Sequence, residues 1–178
     1  MIGRFTFLST SILAVLFIFF GCNRRQKANT FIVDGNKYTN KVGYIDPAKA
    51  LLNYGFKVCD ENKIYQYYNP KAAAFSKGKN GLRKFITQHY QNSGYTDSGY
   101  LTIRFVINWE GEAGRYVIHE NDLDLNPTKL DPQMVEHLFE LTSQLKKWNP
   151  NIIKGEPKDC YMFITYRIEN GKIVEILP

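Results

Sequence analysis

Residues and motifs that mark many enzymes are scarce in this chain. Its 178 residues include three histidines and three cysteines, and the histidines stand alone at His89, His119 and His137. The sequence has no His-x-x-x-His, Cys-x-x-Cys or Gly-x-Ser-x-Gly arrangement, the spacings that bring metal ligands together or expose a nucleophile. We therefore predict no catalytic residues, no metal site and no cofactor, and we predict that the protein is not an enzyme.

Long apolar segments are also lacking. The longest follows Arg4 and runs from Phe5 to Phe20, about 16 residues, whereas a membrane-spanning helix needs about 20. A basic start, an apolar middle and a small residue at the exit are the parts of a secretory signal. The alternative is a plain N-terminal anchor that stays in place.

The end of this segment resembles the lipobox of bacterial lipoproteins, in which apolar residues followed by Gly-Cys direct cleavage before the cysteine and its acylation. The resemblance implies that residues 1–21 are a signal peptide with Gly21 as its last residue, and that Cys22 becomes the lipidated first residue of the mature protein. Phe20 departs from the pattern, since a small residue is usual there. The implied location is the bacterial cell envelope, where the lipid anchors the protein to a membrane and the protein faces the periplasm.

Basic residues exceed acidic residues modestly, 23 against 17, and they are spread along the chain. No basic stripe with interleaved aromatic residues is present, so we do not expect nucleic acid as a partner. Arg24, Arg25 and Lys27 closely follow the lipidated position. We interpret them as contacts with lipid headgroups, each worth about 1 kcal/mol near an anionic surface.

Cys59 and Cys160 remain once Cys22 is assigned to lipid, and the periplasm permits disulfides. A bond between them would close a loop of about 100 residues and stabilise the fold by about 4–5 kcal/mol in the chain-entropy model. The alternative is two buried free cysteines that pack as small apolar side chains. The sequence does not decide between the two.

The mature chain begins with two segments that lack long periodic patterns. Residues 22–46 contain no proline and no long apolar run, and we interpret them as a tether with one short strand near 31–33. Residues 47–77 form a predicted helix-hairpin extension. Its helix starts at Asp46-Pro47, where aspartate is a favoured N-cap and proline a favoured first residue, and a short hairpin follows.

The patterns are stronger in the domain that we place at 78–178. Apolar residues at helical spacing predict two helices, and alternating apolar residues predict strands, the last two joined by the hairpin signal Asn170-Gly171. The predicted elements are a helix at 80–90 capped by Asn80, strands at 99–109 and 115–121, a helix from Asp131-Pro132 to Asn149-Pro150, and strands at 160–168 and 172–177. The fold class is therefore α+β, a small antiparallel or mixed sheet of about four strands with two helices packed on one face.

Three pieces of this region resemble the C-terminal domain of TonB-type proteins of bacterial envelopes. In order, they are AFSKGKNGLRKFI at 74–86, YLTIRFVINWEGEAGRYVI at 100–118 and WNPNIIKGEP at 148–157. The resemblance covers about residues 73–178 and implies a binding role, in which the sheet captures a short peptide segment of an outer-membrane transporter by adding a strand. It also implies a scaffold role for the residues of the Trp-x-Pro and Gly-x-Pro pairs, Trp148, Pro150, Gly155 and Pro157.

Two parts of an energy-transducing TonB protein have no counterpart in the pattern, an uncleaved membrane helix and a long proline-rich spacer. A lipid-held domain on a short, proline-free tether is poorly suited to pull on a distant partner. Two functions remain. One is a lipid-anchored periplasmic binding module that pairs with a peptide segment of an outer-membrane transporter or of another envelope protein. The other is a structural envelope lipoprotein with a closed sheet and no peptide-binding or energy-transducing activity.

The edge of the sheet distinguishes these two functions. In the TonB-like arrangement the penultimate strand receives the peptide, but Asn170-Gly171 predicts that Lys172–Leu177 folds back onto that edge. The candidate partner-binding residues are two aromatic residues on one face of the penultimate strand and two residues of the last strand, Tyr161, Phe163, Lys172 and Val174. For the two aromatic residues, a second small core under residues 47–70 is the alternative.

Overall fold

The structure of the protein is a computed structural model that describes residues 30–33, 36–39, 43–67 and 74–177. The predicted signal peptide and Cys22 fall outside this part of the chain. The described residues form an α+β fold, which confirms the predicted class, with two helices on one face of a mixed five-stranded sheet. None of the helices in these ranges has the length and apolar character needed to cross a membrane.

The helices and longer strands follow the predicted order, and several short strands add to it. The helices are α1, Gly78–His89, and α2, Pro132–Ser143. The strands are β1, Thr30–Val33; β2, Asn36–Thr39; β3, Tyr65–Gln66; β4, Gly99–Ile107; β5, Ala113–Asn121; β6, Asn151–Ile153; β7, Glu156–Lys158; β8, Cys160–Glu169; and β9, Lys172–Leu177. β1 and β2 form a hairpin that includes the strand predicted near 31–33.

The five-stranded sheet is organised around β8, which pairs with three other strands. β4 lies antiparallel along one side of β8, and β5 lies antiparallel beyond β4. On the other side, β3 pairs in parallel with the first residues of β8, and β9 pairs antiparallel with its last residues. The sheet has one strand more than predicted, because two residues of the N-terminal extension join it.

The main core lies between the sheet and the two helices. Alternate residues of β4 face the helices and are fully buried: Leu101, Ile103, Phe105 and Ile107. The helices contribute residues at helical spacing, Leu82 and Ile86 from α1 and Met134 and Leu138 from α2. The hydroxyls of Thr142 and Tyr166 share a buried hydrogen bond of 2.7 Å, which ties α2 to β8.

The opposite face of the sheet carries a second, smaller core beneath the N-terminal extension. Ile45, two residues before the extension, packs there against Val106 of β4 and Tyr161 of β8, and all three are buried. Phe56 and Ile64 of the extension are partly buried against this cluster. The alternative of a second small core under the extension is therefore confirmed for Tyr161.

The extension itself differs from the predicted helix and hairpin. Asp46 does start a turn, since it accepts the Lys49 N–H through its carbonyl at 3.1 Å and the Ala48 N–H through Oδ1 at 3.0 Å. The chain then straightens, and Leu51 forms a β-bridge with Tyr116 of β5. So short a helix is marginal on its own, and pairing with a sheet edge replaces it. The predicted hairpin is also wrong, because β3 pairs with β8 and not with the residues before the turn.

The predicted N-caps of the two helices have different outcomes. α1 starts at Gly78, with Lys77 at the N-cap and no side-chain cap bond, so Asn80 lies inside the first turn and is not the cap. Asp131 does cap α2, because its side chain accepts backbone N–H groups of the first turn at 2.9 and 3.1 Å. Pro132 is the first residue of that helix, as predicted.

α2 ends at Ser143, earlier than the predicted end at Asn149. The residues that follow form a turn in which Lys147 has a left-handed backbone conformation, with φ of 69°. This turn brings Trp148 onto the core, where its indole Nε1 donates to the Leu145 carbonyl at 3.0 Å. Burial of a large aromatic side chain thus replaces continuation of the helix.

Candidate functional site

The side of β8 that faces away from β4 is the edge at which a TonB-like domain would bind a peptide. Two segments of the same chain occupy it. β3 pairs with Cys160 and Tyr161 at one end, and β9 pairs with Thr165–Glu169 at the other. The prediction that Lys172–Leu177 covers this edge is confirmed.

Between β3 and β9 the edge has a short gap at residues 162–164, with Phe163 at its centre. Among the described residues neither of the two strands pairs with Phe163, and its side chain is 50% exposed. A peptide that adds a strand relies on several consecutive backbone hydrogen bonds, since each contributes only about 1 kcal/mol net. The gap is therefore too short to hold a strand while β9 stays in place.

The turn that returns the chain onto β8 is fixed by the loop before β4. Asn170 and Gly171 have φ of 48° and 68°, as in the type I′ turn that Asn-Gly favours. The Gly171 N–H donates to the Asp97 carbonyl at 2.9 Å, and the Gly171 carbonyl accepts from the Tyr90 hydroxyl at 2.8 Å. The Asn170 N–H donates to the Ser98 hydroxyl at 2.9 Å. These three bonds hold the start of β9.

The outer side of β9 is also capped. Arg83 of α1 donates from Nε and Nη2 to the Ile176 carbonyl, at 3.3 and 3.1 Å. Val174 is an extra residue in β9 opposite the step from Arg167 to Ile168, which makes a β-bulge. Bulges and charged side chains are features by which edge strands avoid pairing with other chains. A visiting strand would therefore meet an irregular edge here.

The four candidate partner-binding residues do not form one surface. Tyr161 is 4% exposed, and burial raises the pKa of its hydroxyl to about 12. Phe163 is half exposed, and Lys172 and Val174 are exposed on β9. A ligand at this edge can therefore contact Phe163 and β9, but not Tyr161 unless the extension is displaced.

Trp148 brings the three TonB-like pieces together within the core. It is 4% exposed, and its ring centroid lies 5.3 Å from that of Phe75 and 5.0 Å from that of Phe105. Phe75 belongs to the first piece, Phe105 to the second and Trp148 to the third. Gly111 of the β4–β5 loop passes close by, since a Cβ there would lie 2.4 Å from the Trp148 carbonyl. The packing agrees with a scaffold position for this tryptophan.

The other three residues with an implied scaffold role, Pro150, Gly155 and Pro157, lie at or in a small hairpin that the sequence pattern did not predict. Pro150 directly precedes β6, and Pro157 lies in β7. Lys154 and Gly155 connect the two strands with φ of 53° and 84°, the signs required by a two-residue type I′ turn. The Gly-x-Pro pair therefore belongs to the turn and the second strand of this hairpin, and both residues are exposed.

The two cysteines do not pair with each other. Cys160 is a free, fully buried cysteine, and burial raises the pKa of its thiol to about 12. Cys59 is disulfide-bonded, but not to Cys160. Of the two alternatives that the sequence left open, the Cys59–Cys160 bond is therefore excluded, and Cys160 lies in the main core on β8, between β3 and β4.

Asp159, a buried acid that the sequence pattern did not single out, joins three parts of the fold. Its side chain accepts the Cys59 N–H at 2.6 Å, the Asp60 N–H at 3.3 Å and the Trp109 N–H at 3.0 Å. Asp159 is 1% exposed, and burial raises the pKa of its carboxyl although the three N–H bonds oppose that rise. An aspartate before a strand is too common a pattern to reveal this role.

Arg115 is a second buried charge that sequence reasoning missed. It is 4% exposed and has φ of 55°, outside the usual range for arginine in a strand. Its guanidinium donates to the Glu61 carboxylate at 2.7 and 2.5 Å, and Nε donates to Asn53 Oδ1 at 2.9 Å. The extension is thus fastened to β5 by one bidentate ion pair and one neutral acceptor.

The histidines stay apart in the fold. His89 lies against Phe85 and His137 stacks on Tyr90, with ring centroids 4.5 and 5.3 Å apart. Partial burial, and then the Arg104 charge, lower the pKa of His119. Within residues 43–67 and 74–177, no group of three or more His, Cys, Asp or Glu side chains could hold a metal ion. That the protein is not an enzyme stays a prediction.

Comparison with known proteins adds no relative. No protein-family model, no curated protein and no solved structure matches this chain. The resemblance to TonB C-terminal domains therefore stays a prediction that depends on the three sequence pieces.

Proposed function

We propose that the protein is a lipid-anchored interaction module of the bacterial envelope, TonB C-terminal-like, with the β8 edge closed by its own last strand. The observation that carries the proposal is the pairing of β9 with Thr165–Glu169, on the edge where a TonB-like domain would take a peptide. A transporter segment or another envelope peptide then binds only when β9 is released. The anchor keeps this module at a membrane on the periplasmic side.

The second candidate is a structural envelope lipoprotein that has no peptide-binding or energy-transducing activity. Two observations favour it. The Asn170-Gly171 turn is fixed by three hydrogen bonds, and Arg83 caps the outer side of β9. Displacing β9 also exposes Ile176, which costs about 2–3 kcal/mol for a buried isoleucine. Both candidates share the closed edge and differ in whether β9 ever leaves it.

A reversible lock on β9 distinguishes the two candidates. Thr165 and Leu177 are direct partners in the β8–β9 register, so the double variant Thr165→Cys/Leu177→Cys places two thiols at one pair. Binding of fluorescent peptides from the N-terminal segments of outer-membrane transporters is measured by anisotropy in the oxidised and in the reduced protein. The interaction module predicts weak binding that disappears on oxidation and returns on reduction.

The controls separate an unlocked edge from an unfolded domain. A single Thr165→Cys variant cannot form the lock and should bind equally under both redox conditions. Deleting residues 171–178 should strengthen binding, and far-UV circular dichroism must first show that this variant folds. Binding that is unchanged by the lock contradicts edge recognition, and no binding in any form supports the structural candidate.

A further inference from the structure

Residues 51–56, the 51–56 loop, present apolar side chains to solvent. Leu51 is 45% exposed, Leu52 is 56% exposed and Tyr54 is fully exposed. Tyr54 lies next to Gly55, whose φ of 75° suits a tight turn at the tip of the loop. Single exposed apolar residues are ordinary, but three within four positions form a patch that marks an interaction surface.

The loop is held firmly although its side chains are exposed. Leu51 and Tyr116 exchange two backbone hydrogen bonds, each of 2.9 Å, so the start of the loop is fixed to β5. The Asn53 side chain accepts from Arg115, which in turn is held by Glu61. The exposure of the apolar residues is therefore a feature of the folded state and does not come from a loose segment.

Leu52 has a backbone conformation that is rare for its type. Its φ of 49° lies in the left-handed region, which residues other than glycine and asparagine seldom adopt. Strained residues persist where the surrounding structure enforces them, and they are frequent at functional sites. Here the strain directs a leucine toward solvent.

Two lysines flank the apolar side chains. Lys146 and Lys147, both exposed, line one open groove of about 460 Å³ together with Leu52 and Tyr54. Glu112 also lines the groove, but its carboxylate accepts a hydrogen bond from a neighbouring asparagine amide at 2.9 Å. The surface thus combines exposed apolar side chains, a tyrosine and two lysines with one carboxylate, and its net charge is positive.

We propose that the 51–56 loop, with Lys146 and Lys147, docks on the surface of an anionic lipid bilayer. Leucine side chains insert at the boundary between headgroups and acyl chains, and tyrosine places its ring there with its hydroxyl in the headgroups. Lysines beside such a patch contact anionic headgroups. This inference does not depend on lipidation of Cys22, and it assigns the orientation of the domain on the membrane.

A second exposed loop provides a matched contrast. Leu123 and Leu125 are 44% and 67% exposed, similar to the leucines of the 51–56 loop. Their neighbours are Asp122 and Asp124 instead of lysines. An anionic bilayer repels that loop, so it controls for apolar exposure without positive charge.

The test reads the environment of one label at each loop. The full-length chain carrying Tyr54→Cys, or Leu123→Cys as the control, is labelled with an environment-sensitive fluorophore and reconstituted into vesicles. The vesicles contain either phosphatidylcholine alone or phosphatidylcholine with phosphatidylglycerol, and a nitroxide lipid serves as the quencher. Docking predicts a blue shift and quenching at position 54 that require phosphatidylglycerol, with neither change at position 123.

The lysine pair gives the decisive comparison. Lys146→Gln/Lys147→Gln should lower the ratio of docked to undocked domain about 25-fold, since each lysine contributes about five-fold near an anionic surface. The variant Lys84→Gln/Lys154→Gln removes the same charge from exposed sites outside the groove and should change the ratio far less. Equal quenching at positions 54 and 123, or quenching that survives loss of Lys146 and Lys147, overturns the proposal. Shielding of position 54 that rises with protein concentration in vesicles without phosphatidylglycerol also overturns it, in favour of a second copy of the chain.

Discussion

Asp159 offers the most direct test of how the extension is fixed to the sheet. Replacing it with alanine removes the acceptor of three backbone N–H groups, those of Cys59, Asp60 and Trp109. Two of these bonds are short, 2.6 and 3.0 Å, and the third is 3.3 Å long. In the Asp159→Ala variant the three donors lose their partner in a site that is closed to solvent.

The magnitude follows from these bonds and from the burial of the carboxylate. Hydrogen bonds to a charged group contribute about 1.5–3 kcal/mol each, which gives about 5 kcal/mol for the three with the long bond counted weakly. Burial of the carboxylate works in the other direction, since it raises the pKa of Asp159 despite the three donors. We therefore expect the free energy of unfolding to fall by about 3–4 kcal/mol and the melting temperature by about 6–16 °C.

The pH dependence has a definite sign. Burial raises the folded-state pKa of Asp159, so folding favours the protonated carboxyl. The stability that this protonation contributes is fully present below the unfolded-state pKa and is lost as pH rises through the folded-state pKa. The difference in free energy of unfolding between wild type and Asp159→Ala should therefore be larger below the unfolded-state pKa of Asp159 than at neutral pH.

Urea unfolding followed by circular dichroism measures the difference, and Asp122→Ala is the matched control. Asp122 also accepts two backbone N–H bonds, of 2.9 and 2.8 Å, but it does so in an exposed loop, so its loss should cost about 1 kcal/mol. Hydrogen exchange at the Trp109 amide should accelerate only in Asp159→Ala. A cost below that of the control would refute the role assigned to Asp159.

Three further outcomes are expected. Cys22→Ser should abolish incorporation of a fatty-acid probe, and label retained in that variant would exclude the lipoprotein assignment. Cys160 should resist alkylation in the folded protein and react after unfolding, because it is buried and its thiol pKa is raised to about 12. Trp148→Ala should lower the free energy of unfolding by about 3–5 kcal/mol in a urea titration, and a smaller loss would show that the core closes around the gap.

The sequence predicted the sheet and helices well because periodicity and turn chemistry are local signals. The alternation from Leu101 to Ile107 defines the buried face of β4, and Asn170-Gly171 defines both the turn and the strand that follows it. Asp131-Pro132 defines the start of α2 for the same reason. Each of these patterns needs only neighbouring residues to form.

The extension could not be predicted because its conformation depends on distant partners. The backbone at Leu51 forms a β-bridge with Tyr116 instead of continuing a helix, and β3 forms because it pairs with the edge of β8. Asp159 and Arg115 act only across the fold, so no spacing in the sequence connects them with the groups that they hold. The sequence left the pairing of Cys59 and Cys160 open for the same reason, since it could not place Cys160 inside the core.

In the proposed function β9 is decisive, because the same backbone groups of β8 cannot pair with β9 and with a peptide. An incoming strand replaces the hydrogen bonds of β9 one for one, so the backbone contributes little net free energy to the exchange. The peptide must also compensate for exposing Ile176 and for the loss of the Arg83 cap. Side-chain contacts must therefore supply the difference, and Phe163 is the exposed aromatic residue at the gap in this edge. Under this proposal we expect a peptide that places an apolar side chain on Phe163 to displace β9, and a peptide without one to leave the sheet closed.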